Sequence, residues 1–122
     1  MKSDPTVRVV PHLPDEAATD GSARDILLHA ASLVGGDRAK THGDKTKNHA
    51  CIAAMWNGYL EARLIAGHGA DLTALDAANM MEALKIARRL TGSHNPDDYV
   101  DGSGYAAVAG EIASKMASRS DG

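Results

Sequence analysis

The sequence has no phenylalanine, one tryptophan, three tyrosines and a single cysteine in 122 residues. Without large aromatics the apolar positions fall to Ala, Leu and Met. These are good helix formers, and alanine faces let helices approach closely. Cys51 has no intrachain partner for a disulfide, which fits a reducing compartment. Within the run ACIAAMW it reads as a small buried hydrophobe rather than a nucleophile. No apolar run approaches the roughly 20 residues of a membrane span. The first residues lack the layout of a signal peptide. A soluble, cytoplasmic protein with no membrane partner is therefore expected. A strong basic excess is also missing. The net charge of −3 and pI near 6.0 argue against stable nucleic-acid binding. There is no GxSxG, HExxH, CxxC or Walker A motif. His12, His29, His42, His49, His68 and His94 never form a ligand pair at helical spacing.

β-branched residues are few after residue 10, so the chain reads all-α. The expected fold is a compact four-helix bundle-like domain over residues 22–118, preceded by a flexible arm over 1–21. Three prolines and many small polar residues define the arm. Thr6 to Val10 is its one strand-like run. Ser22 with Asp25 resembles a capping box and opens a helix over about 23–34, closed by Gly35-Gly36. A second helix runs from about Lys45 to Ala66. Its stripe of Ile52, Met55, Trp56, Tyr59, Leu60 and Leu64 follows helical spacing. A third, capped by Thr73 and Asp76, covers about 74–91. Asn95 and Pro96 then cap a fourth, which fades near Ala117. The apolar arcs of the second and third helices exceed what one small bundle buries, so a dimer or tetramer is expected.

Residues 35–48 form a polar, glycine-punctuated loop. It is either a solvated connector that caps the next helix through Asp44 or a phosphate loop containing Arg38. In the third helix Glu82, Lys85, Arg88 and Arg89 occupy the arc opposite the apolar one. They read as a solvated face, or Lys85 and Arg88 as phosphate ligands. Asp97 and Asp98 suit the positive end of a helix dipole. Asp101 lies at the edge of the packed side, where a carboxylate is costly unless paired or bound to a cation. Asp98 and Asp101 have the i, i+3 spacing that shares a hard cation, Mg²⁺ or Mn²⁺, with Glu61, Glu82 or Asp44 completing the set. Trp56 reads as a core anchor, with base stacking as the other role.

The segments GDRAKTHGDKTKNHACIAAMWNGYL, ALKIARRL and DDYVDGSGYAAVA together resemble a family of small phage and prophage proteins, across about residues 24–113. More distantly they are similar to nucleotide-modification-associated helical domains and to MazG-like all-α nucleotide pyrophosphohydrolases. That resemblance implies a nucleoside triphosphate ligand in the host cytoplasm. It also implies Mg²⁺ held by Asp98, Asp101 and Glu61, with Asp101 and Glu82 catalytic. Lys85, Arg88 and Arg38 would then meet phosphates, and Trp56 the base. The alternative is a non-enzymatic helical protein that binds a host or phage protein or sequesters a nucleotide-like ligand. The full acidic set of the pyrophosphohydrolases is absent here: cations stand in KIAR where acids are expected.

Overall fold

A computed structural model describes residues 21–36 and 44–121. Arg38, the Thr6–Val10 run and residues 37–43 of the 35–48 loop lie outside the described residues. The chain divides into two compact units, Met1–Lys40 and Thr41–Gly122. All four described elements are helices, and no strand occurs among the described residues. The all-α expectation holds.

The first unit contains α1, Ala23–Gly35. Ser22 starts it by accepting a hydrogen bond from the Asp25 amide at 3.1 Å. None of its side chains is buried, and Ile26, Leu27, Leu28, Leu33 and Val34 are all exposed.

The second unit contains α2 (Lys45–Ile65), α3 (Ala74–Arg88) and α4 (Asp97–Asp121). Each start follows local chemistry. The Asp44 carboxylate accepts from the amides of Thr46 and Lys47. Thr73 and Asp76 form a reciprocal capping box. The Asn95 side chain accepts from the Asp97 amide at 3.1 Å. α2 stops at Gly67, whose φ of 90° only glycine adopts readily. The amides of Gly67 and His68 there close back onto the carbonyls of Leu64 and Arg63. α3 ends three residues earlier than its periodicity predicts, because Gly92, at φ 71°, turns the chain. α4 runs past Ala117 to Asp121, since no glycine or proline interrupts that stretch.

α3 is the central helix and packs against both α2 and α4. Contacts between Arg63 and Asp76, Trp56 and Met80, and Asn48 and Thr91 run α2 antiparallel to α3. Those from Lys85 to Asp101 and Arg89 to Asp98 do the same for α4. At 100° per residue, Asp76, Met80, Ala83 and Ala87 face α2, while Ala78, Lys85 and Arg89 face the opposite way. Among the described residues the buried apolar ones are Ile52, Ala78, Ala83, Ala87 and Ala109, and no large side chain is fully buried. Alanine at the contacts brings the helix axes close but removes little apolar area from water.

Candidate functional site

Two polar clusters sit at opposite ends of α3. The first joins α2, the 66–73 turn and the start of α3. Asp76 is its hub. One carboxylate oxygen accepts from the Thr73 amide at 2.8 Å and the Thr73 hydroxyl at 3.0 Å. The other accepts from the Tyr59 hydroxyl at 2.6 Å and Arg63 Nε at 2.9 Å. Arg63 also donates through Nη1 to the Gly69 carbonyl and through Nη2 to that of Asp71. Asn79 donates to the Tyr59 hydroxyl at 3.1 Å. Arg63 and Asp76 are both buried, and every polar atom of the guanidinium has a partner. A cleft of about 290 Å³ opens beside them, between Tyr59, His68, Leu75 and Met116. Because its charged groups already satisfy one another, this cluster is a brace for the corner. Sequence reasoning singled out Asp76 only as a cap and did not find Arg63. A basic residue one turn beyond Tyr59 on the α3-facing side of α2 was the available signal.

Hydrogen bonds, that from Tyr59 first, hold the Asp76 carboxyl down at about 2, against the opposing effect of burial. Burial and the neighbouring Asp76 push the Tyr59 hydroxyl up. A carboxyl more acidic in the folded than the unfolded chain stabilises above its unfolded value. That contribution disappears as pH falls through its folded value. Asp76 should therefore supply on the order of 2 kcal/mol, complete above about pH 4 and lost toward pH 2. Denaturant titrations between pH 5 and pH 2 should show this loss, and Asp76→Asn should remove the step.

The second cluster joins the start of α2, the end of α3 and the start of α4. Thr91 donates to the buried Asn48 at 3.1 Å. Lys85 Nζ lies 3.1 Å from Asp101 Oδ2, with the lysine side chain 14% exposed and the aspartate 47%. Arg89 donates to the Asp98 carbonyl at 3.3 Å and stacks over the Tyr99 ring at 4.4 Å. Gly102 makes room for it, since a Cβ there would stand 2.5 Å from the guanidinium. Asp98 is 5% exposed, and among the described residues no hydrogen bond or ion pair holds its carboxylate. Arg88 is half-buried, and its buried Nε has no hydrogen-bond partner.

These positions revise the reading of the basic arc. Lys85, Arg88 and Arg89 are not a solvated face, because α3 is packed on two opposite sides and α4 covers Lys85 and Arg89. Asp101 sits at the edge of the packed side as expected, neutralised by Lys85. Glu82 is half-buried on α3, and Glu61 is exposed on α2 on the side turned from α3. Among the described residues no three carboxylate, imidazole or thiol groups converge to hold a metal ion. Among the described residues Asp98, Asp101 and Glu61 therefore form no preassembled three-ligand centre. Trp56 is half-buried in the α2–α3 contact and donates through Nε1 to the Met80 carbonyl at 2.7 Å.

The chain belongs to the family described as domain of unknown function DUF6378, whose model matches residues 25–113. It is similar to the Gene 55 protein of Mycobacterium phage L5, with 39% identity over 83 residues, covering 68% of this chain and 49% of that protein. It is also similar to the Gene 55 protein of Mycobacterium phage D29, with 32% identity over 90 residues, covering 74% of this chain and 54% of that protein. The chain spans about half the length of the curated relatives it matches. The expected resemblance to phage proteins holds at this level. No solved structure matches the chain. No helix among the described residues is long and apolar enough to cross a membrane.

Proposed function

We propose that the chain binds a nucleotide-like phosphate ligand at the second cluster and does so without needing to hydrolyse it. The observation that carries this reading is Arg88, whose half-buried guanidinium has a buried Nε with no acceptor. Leaving such a donor unpaired is costly, and an anion removes the cost. Lys85, one turn earlier, and Arg89, beside it, add positive charge. A guanidinium presents a planar fork that matches phosphate oxygens. Trp56, on α2, would receive the base.

Titration calorimetry of the full chain with nucleoside and deoxynucleoside triphosphates, and with inorganic pyrophosphate, tests the reading. Arg88→Gln is expected to weaken binding by about 10- to 150-fold, the range for one lost bond to a charged group. Trp56 is the sole tryptophan, so its fluorescence reports a stacked base: nucleotides should quench it and pyrophosphate should not. No binding by any of these ligands would sink the proposal.

A second reading is hydrolysis of a nucleoside triphosphate in the MazG-like manner. Its support is Asp98, a residue only 5% exposed, one turn before Asp101. Mg²⁺ or Mn²⁺ is the cofactor this reading requires, with Asp101 as the second acid and substrate phosphates completing its shell. Release of pyrophosphate that Asp98→Asn abolishes would favour it over simple binding. A chain that captures a host or phage protein at this end is the remaining non-enzymatic form.

A further inference from the structure

The apolar stripe of α2 is longer than α3 covers. Leu60 is 37% exposed and Leu64 is 69% exposed, although Ile52 in the same stripe is buried. At 100° per residue, Trp56, Leu60 and Leu64 turn to one flank of the α2–α3 contact. In antiparallel neighbours the same flank receives Met81 and Leu84 from α3 and Val108 from α4. Trp56, Met81 and Leu84 are half-buried and Val108 is 51% exposed. Charge enters this flank at its end, where Lys85 and Asp101 pair and where Arg88, one turn beyond Leu84, falls on the same side. The cleft beside Asp76 opens on the other flank, toward Leu75 and Asn79.

We infer that this flank is the interface of a homodimer, buried against the same flank of a second copy of the chain. The area fits: three helices about 9 Å apart, and about 22 Å long where all three lie alongside, give a face of the same order as the roughly 800 Å² per partner of a stable interface. The burial within one copy points the same way. A unit whose core is Ile52 and four alanines leaves its large apolar side chains half-buried or exposed. The occupant completes the core, so it must be present whenever the chain folds and in equal amount. A second copy meets both conditions, and obligate homodimer interfaces resemble a core divided in two. An isologous pairing sets Leu and Met ridges against one another about a two-fold axis. Trp56 and Arg88 both lie on this flank, so a second copy and a nucleotide compete for the same surface; a dimer without nucleotide affinity, or affinity in a monomer, separates the two.

Sedimentation equilibrium of the full chain should give twice the 12.7 kDa monomer mass. Its Tm should rise with protein concentration, as unfolding coupled to dissociation requires. Leu64→Glu places a charge in the apolar flank and should weaken the dimer at least about a hundredfold. Val100→Glu, on the side of α4 turned from α3, should leave it intact. A monomer with a concentration-independent Tm would overturn the inference without any variant. So would a Leu64→Glu dimer as tight as the native one, or an equimolar assembly with a different protein.

Discussion

Replacing Arg63 with methionine is expected to lower the free energy of unfolding by about 3–5 kcal/mol, the cost of leaving a buried charge without its partner. Asp76 is 7% exposed and loses both its ion pair and one hydrogen bond in that variant. The carbonyls of Gly69 and Asp71 lose their donors as well. The Tyr59 and Thr73 bonds to Asp76 remain, so the loss is not shared out among spare contacts. Arg63→Met combined with Asp76→Leu should cost less than the sum of the two single changes, because no charge is then stranded. Urea unfolding at one fixed protein concentration measures all three. A single-variant loss below about 1 kcal/mol would mean that water reaches the pair and solvates it.

The same hub shows which parts of the structure a sequence discloses. One oxygen of Asp76 serves the capping box with Thr73, three residues away, and spacing alone finds it. The other serves Tyr59 and Arg63, 17 and 13 residues away, and only the antiparallel packing of α2 on α3 brings them there. The helix starts at Ser22, Asp44, Thr73 and Asn95 were legible for the local reason. The termini of α3 and α4 were less so. A turn at Gly92 overrides periodicity in one case, and the absence of a breaker lets polar residues stay helical in the other. At the candidate site, the edge position of Asp101 was legible from the helical wheel. The burial of Lys85 and Arg89 was not, because a one-sided apolar arc predicts one packed face and α3 has two. Glu61 was grouped with Asp98 and Asp101 by charge and by the resemblance. It sits on the side of α2 that turns away from α3, a fact of tertiary register that no spacing encodes.

Trp56→Ala should cost about 3–5 kcal/mol, as large aromatic truncations at packed sites do. Trp56 bridges α2 and α3 twice, by the area of its ring and by the bond from Nε1 to the Met80 carbonyl. Trp56→Phe separates the two. It keeps most of the ring contact and removes the bond, so it should cost about 1 kcal/mol. The Met80 carbonyl keeps a helical donor in either variant, which holds that cost down. If phenylalanine proves as damaging as alanine, the hydrogen bond rather than the ring fixes the register of the two helices. The alanine variant also bears on self-association, because the ring lies on the flank assigned to the second copy. Its loss of stability should then grow on dilution, while that of Arg63→Met, in the other polar cluster, should exceed the native dilution effect by little. Comparing unfolding midpoints of the two variants across a hundredfold range of protein concentration distinguishes a tryptophan that only joins two helices from one that also joins two chains.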